Sequence, residues 1–150
     1  MMTRDIHDGA PILVSACLVG IHCRYDGGCS RDERVLRLAR RVCLVPVCSE
    51  QLGGLPTPRE SVELRQGRAV CADGRDMTAF FQRGVEQVLR IVELTGARTA
   101  ILQPRSPSCG SRMVYDGSFS GRLIPGQGML AASLDRAGIR LLDPDDLDGP

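Results

Sequence analysis

Short apolar runs alternate with amphipathic stretches along this chain. Ile12, Leu13, Val14, Ser15 and Ala16, bounded by Pro11 and Gly20, read as a buried strand with Cys17 at its carboxyl end. Ser30 and Glu33 form a capping-box pattern, and Val35, Leu36, Leu38, Ala39 and Val42 follow at helical spacing, predicting a helix through Arg41. Cys43, Leu44, Val45, Pro46 and Val47 make a second strand that ends at Cys48. Residues 53–59 are glycine- and proline-rich loop, and residues 62–72 alternate around Gln66-Gly67 as a hairpin would. The clearest helix runs from near Thr78 to just before Gly96, with Phe80, Phe81, Val85, Val88, Leu89 and Val92 on one face. Residues 99–102 make a third strand, and 103–128 a long Ser-, Gly- and Pro-rich loop of the kind that carries function. A last helix over Met129, Leu130, Leu134 and Ala137 stops at Gly138, and residues 139–142 make a fourth strand. Residues 1–10 read as a loose tail and the acidic residues 143–150 as a solvated end.

Strands alternating with helices predict a single three-layer α/β domain over residues 1–150, with a mostly parallel sheet flanked by helices. Right-handed crossovers gather the loops after the strands on one sheet edge, where such folds bind ligands. Cys17 and Cys48 fall at two of those strand ends, and Cys109 in the loop after the third.

Composition narrows the chemistry. A net charge of +1 and 3% aromatic residues provide neither the field nor the stacking platforms of a dedicated nucleic-acid binder. All 19 basic residues are arginine, which fits codon usage better than a functional demand and excludes lysine Schiff-base chemistry. Val14-Ser15-Ala16-Cys17 imitates a lipoprotein cleavage box, but the apolar run leading into it is only Ile12 to Val14, against roughly 7–15 residues in a signal core. No stretch approaches the roughly 20 apolar residues of a membrane span. The expected location is the cytoplasm, where seven cysteines are metal ligands, catalytic thiols or small core residues rather than a disulfide framework. A convergent thiolate site suits an iron–sulfur cluster, zinc or copper, although no C-x-x-C spacing is present. Cys43 and Cys71, placed inside strands, read as core residues. Cys23 and Cys29 stay open as a further ligand, a redox pair or neither, and His22 reads as a surface residue. A metal-free thiol enzyme has little support, because His7 and His22 are the only histidines and neither sits in a partner motif.

Longer motifs add a resemblance. Ser15-Ala16-Cys17-Leu18-Val19-Gly20, Cys23-Arg24-Tyr25-Asp26-Gly27, the stretch from Val45 to Arg59 around Pro46-Val47-Cys48-Ser49-Glu50, Ser106-Pro107-Ser108-Cys109-Gly110 and Tyr115-Asp116-Gly117-Ser118-Phe119-Ser120-Gly121 together resemble the bacterial thiouracil desulfidase family. The likeness runs from about Ile12 to Leu142. It implies a [4Fe–4S] cluster held by Cys17, Cys48 and Cys109, with one iron free for substrate sulfur and Cys23 as a possible further ligand. It also implies Glu50 and Ser106 as catalytic side chains, with Asp26 and Ser108 toward the substrate; Ser106 and Asp26 read equally well as turn residues. Ser49 departs from the family pattern, which has proline between the cysteine and the glutamate.

The implied reaction is a non-redox hydrolysis in which an open iron polarises a thiocarbonyl and Glu50 serves as base. The expected partner is a small molecule, a thiolated base, nucleoside or nucleotide, with no membrane association. A non-catalytic iron–sulfur or zinc protein with a structural or redox-sensing role remains the competing expectation, and four protein ligands would favour it.

Overall fold

The computed structural model describes residues 9–147; most of the expected N-terminal tail therefore lies outside the described residues. Four strands, β1 (Ile12–Ser15), β2 (Leu44–Val47), β5 (Thr99–Ile101) and β8 (Arg140–Leu142), form a parallel sheet in the order β2-β1-β5-β8. Alternation along β1 separates two cores. Ile12 and Val14 face a cluster with Val35 and Leu38 of α1 (Glu33–Leu38), whereas Leu13 faces Val85 and Val88 of α3 (Thr78–Thr95) and Leu130 and Leu134 of α4 (Met129–Arg136). Helices thus cover both faces, which is the three-layer arrangement the alternating pattern predicts.

β1 lies between β2 and β5, so the chain leaves it to one side and returns on the other. That reversal opens a crevice at the carboxyl ends of the strands. The hydroxyl of Ser15, the last residue of β1, accepts a hydrogen bond from the Gln103 amide just beyond β5 at 2.9 Å.

Several element boundaries differ from the pattern. α1 starts one residue after Asp32, whose carboxylate accepts from the Arg34 and Val35 amides, while Ser30 instead meets the Arg24 guanidinium at 2.8 Å. It ends at Leu38 rather than Arg41. β2 begins at Leu44, leaving Cys43 exposed at its entrance rather than inside the strand. The hairpin β3 (Val62–Arg65) and β4 (Arg68–Cys71) turns through Gln66 and Gly67, both at positive φ, as a tight primed turn requires. The loop 103–128 carries a second ribbon, β6 (Met113–Tyr115) and β7 (Leu123–Pro125), whose three-residue strands fall below the length at which alternation becomes visible. The acidic end is not a solvated tail where it is described. Asp143 is buried, caps the turn Pro144–Asp146, and with Asp146 grips Arg112 at 2.9 and 2.6 Å.

One element has no counterpart in the sequence pattern. A single helical turn, α2 (Ser49–Leu52), follows β2 directly and lies backbone to backbone against α3. A Cβ on Gly84 would stand 1.8 Å from the Ser49 carbonyl oxygen, and one on Gly53 would stand 2.0 Å from the Phe80 carbonyl oxygen. Replacing a helical glycine by alanine ordinarily adds stability, but here the methyl group meets backbone. Gly84→Ala is therefore expected to lower the melting temperature, overpacking of this kind costing about 1–3 kcal/mol. An unchanged or raised melting temperature would show that α2 shifts freely.

Candidate active site

The candidate functional side chains come from loops at the carboxyl edge of the sheet. Cys17 lies in the 3-10 turn Ala16–Val19 that continues β1, Cys48 immediately precedes α2, and Cys109 sits in a turn after β5. The backbone around Cys109 is shaped by Ser106, whose hydroxyl oxygen accepts from the amides of Ser108 and Cys109, both at 3.1 Å. Gly128 lets the start of α4 press on this turn, since a Cβ there would stand 2.5 Å from the Ser108 carbonyl.

All three cysteines line one cavity of about 470 Å³, and Cys23 lines it too. Cys23 is 3% exposed, and its thiol interacts with those of Cys17 and Cys48. The Cys48 thiol also donates to the Cys23 carbonyl oxygen at 3.8 Å. The hydrogen bond with Cys17, followed by burial, pushes the Cys23 thiol up to about 11, against the pull of Cys48 and the Arg59 charge. Cys48 is raised further still, first by its bond with Cys23 and then by burial. Burial takes Cys109 to about 12. These three thiols are protonated at neutral pH, so a cation entering the site must displace protons.

Glu50 stands on α2 and is held at both oxygens. Its Oε1 accepts from Arg59 Nε at 3.0 Å and its Oε2 from the Ser108 hydroxyl at 2.8 Å. The proline missing at position 49 is thus made good by other means: Ser49 is buried against α3, and two side chains fix the carboxylate. An ionised carboxylate has lone pairs beyond those two bonds, so Glu50 retains capacity to accept a proton from the cavity. Ser106 also lines the cavity. With its oxygen accepting two amides, its own O–H is left to donate.

Arg59 is a site residue to which the sequence reading assigned no role. Its side chain is only 6% exposed. Besides Glu50 it donates to the Cys23 carbonyl at 2.9 Å, to the Pro56 carbonyl at 3.1 Å and to the Thr57 hydroxyl at 3.0 Å. One guanidinium thus joins the carboxylate to the cysteine loop. The signal was present in the quoted Pro58-Arg59 pair, but in a chain whose basic residues are all arginine no single one stands out. Tyr25 and Tyr115, the only two tyrosines, also line the cavity and give it flat apolar walls.

Other expected residues fall elsewhere. Asp26 does not line the cavity; its carboxylate accepts from the Gly28 amide at 2.9 Å, the turn role its spacing also allowed. Cys43 is exposed and Cys71, at the end of β4, is buried in the core between the hairpin and α3, both away from the site, and Cys29 and His22 stay outside it. Ser108, expected toward substrate, lines the cavity and donates its hydroxyl to Glu50.

The roof of the cavity is built by the two ribbons. Glu63 of β3, itself buried, accepts from the Gly117 and Phe119 amides at 3.1 Å each. Arg65 donates to the Gly117 carbonyl at 3.1 and 2.7 Å. Gly117 has φ near 91° and a Cβ there would stand 2.7 Å from the Leu64 carbonyl, so the close approach requires glycine.

Among the described residues no three His, Cys, Asp or Glu side chains close on a single metal ion. Thiols spread around a cavity suit a larger sulfur-rich group instead, whose several irons hold their ligands apart. No helix among the described residues is long and apolar enough to cross a membrane.

Comparison with known proteins places the chain among relatives. The family described as 2-thiouracil desulfurase matches residues 12–146. An uncharacterised protein of Bacillus subtilis (strain 168), YbbK, is 39% identical over 146 residues, covering 91% of this chain and 97% of its own. The solved structure of TudS, a [4Fe-4S]-dependent thiouracil desulfidase, superposes with a TM-score of 0.87 at 39% identity, covering 91% of this chain and 92% of its own.

Proposed function

The chain belongs to the 2-thiouracil desulfurase family, and on that footing we propose that it hydrolyses the C=S bond of a thiolated nucleobase, or of its nucleoside or nucleotide, to C=O. The observation that carries the proposal is Glu50, clamped between Arg59 and Ser108 on the wall of the cavity that Cys17, Cys48 and Cys109 line. The three soft thiols fit a [4Fe–4S] cluster as its ligands. When bound there, such a cluster supplies an iron with an open position, a Lewis acid for a thiocarbonyl sulfur.

The chain's own residues do the rest. Tyr25 and Tyr115 flank the space for a flat heterocycle. Glu50 takes a proton from water as the oxygen attacks the thiocarbonyl carbon, and Arg59 and Ser108 hold its carboxylate in one orientation. The Ser106 hydroxyl donates to a ring nitrogen or to the negative charge that grows as the carbon becomes tetrahedral. Water adds oxygen and two hydrogens and sulfide leaves with the protons, so no electrons are exchanged.

Anaerobically purified protein is expected to be brown, to contain about four irons per chain, and to convert 2-thiouracil or 4-thiouracil, or the corresponding nucleoside or nucleotide, to the oxo compound. Sulfide release should need no electron donor. Failure of every thiolated base, nucleoside and nucleotide with cluster-loaded protein would end the desulfidase reading. The second reading, a closed non-catalytic iron–sulfur site, is favoured by one observation, the fourth thiol of Cys23 among the other three.

A further inference from the structure

The wall built by the two ribbons contains a carboxylate that the proposed mechanism leaves unused. Glu63 is 9% exposed and lines the cavity. Its Oε1 is fixed by two amides, those of Gly117 and Phe119, and Phe119 holds φ 59°, a conformation that residues with side chains rarely adopt. Its Oε2 has no hydrogen-bond partner among the described residues, where every fully buried side-chain oxygen and nitrogen has one. That oxygen is therefore accessible, and it is open to an occupant of the cavity. Among the described residues the other carboxylate lining the cavity is Glu50, which commits both oxygens to Arg59 and Ser108. The basic residues there, Arg24, Arg59 and Arg105, donate hydrogen bonds and cannot accept them. The cavity thus offers many donors and one uncommitted carboxylate oxygen.

We infer that Glu63 reads the substrate's ring N–H: its Oε2 accepts a hydrogen bond from the N3–H of a thiolated pyrimidine and so sets which heterocycles the cavity holds. This rests on the desulfidase reading and deepens it. N3–H is the donor that the free base, the nucleoside and the nucleotide all retain, whereas N1–H is lost when a ribose is attached. A ring N–H taken out of water needs an acceptor, and one left unpaired costs affinity. The two amides at Oε1 fix the orientation of the carboxylate, so its free oxygen is aimed before the substrate arrives. Glu50 then keeps its own carboxylate for water.

The test measures binding apart from turnover, by rapid ultrafiltration of anaerobic, cluster-loaded Glu50→Gln protein with 4-thiouracil and with 3-methyl-4-thiouracil, in which a methyl group replaces the N3 hydrogen. 4-Thiouracil is expected to bind at least about tenfold more tightly, the usual worth of a hydrogen bond to a charged group. Adding Glu63→Gln should erase most of that preference by weakening 4-thiouracil alone. The glutamine carbonyl oxygen can still accept from Gly117 and Phe119, but its NH2 then faces the cavity as a donor. Equal binding of the two compounds before Glu63→Gln is added overturns the inference. So does equal weakening of both by it, which is what a purely structural clasp predicts. Weakening of 4-thiouridine with 4-thiouracil untouched assigns Glu63 to a ribose hydroxyl and likewise overturns the inference. Sulfide release by wild type is scored separately. Release without an N3–H preference leaves the desulfidase reading standing and removes this inference; a preference that depends on Glu63, without release, removes that reading and leaves a base-binding site.

Discussion

Glu50→Gln is expected to slow desulfidation about a hundred- to ten-thousand-fold while leaving the cluster in place, the usual range for loss of a general base. The substitution preserves size and shape, and α2 keeps its contact with α3. What changes is charge and hydrogen-bond polarity. Glu50 now accepts from Arg59 at one oxygen and from Ser108 at the other. A glutamine can accept at only one of them and presents an NH2 to the other. Ser108 can answer by turning its hydroxyl to accept; Arg59, a donor at every nitrogen, cannot. The amide oxygen should therefore settle on Arg59, leaving the site assembled without a proton acceptor. The checks are iron and sulfide content, the melting temperature, and the rate of oxo-product formation. A wild-type rate with a full cluster would remove Glu50 from the role of base. Ser106→Ala should show a smaller loss, since that side chain donates to charge rather than taking a proton.

The second large effect is all or none. Replacing Cys17, Cys48 or Cys109 by serine is expected to abolish the bound cluster in each case, read as loss of the brown colour and of iron and sulfide. Cys48 and Cys109 have no second cavity cysteine on their own loops, and Cys23, which shares the β1–α1 connection with Cys17, already holds its own place in the cavity. Cys43→Ala and Cys71→Ala should keep the cluster, one being exposed and the other packed with Val62 and Phe81 beneath the hairpin. A colourless protein that binds one zinc, with unchanged stoichiometry in all three serine variants, would sink the cluster assignment.

Much of the fold was legible because the strands of this sheet are short apolar runs with polar breaks, and α3 is long enough for its periodicity to show. What escaped the pattern did so for local reasons. α2 is a single turn, too short for any period, and is held by the glycine contacts of Gly53 and Gly84 that exist only in three dimensions. The β6–β7 ribbon hides among turn residues because its strands are three residues each. Ser30 lost the cap to Asp32 because the Asp32 carboxylate accepts from the Arg34 and Val35 amides while the Ser30 hydroxyl is taken up by Arg24. At the site, the cysteines could be placed by strand ends, and motif resemblance singled out Glu50. The partners of Glu50 could not be read in advance: Arg59 lies nine positions along the chain and Ser108 fifty-eight, and only folding brings them to the carboxylate.

The clasp of Glu63 and Arg65 on the backbone of residues 117–119 separates two responsibilities within the molecule. The proposed sulfur ligands and Glu50 stand on the rim of the sheet and on α2, while the wall facing them is stitched from two ribbons that share no strand with that sheet. Under the proposed function, substitutions in the ribbons are expected to change which thiolated molecule the cavity admits.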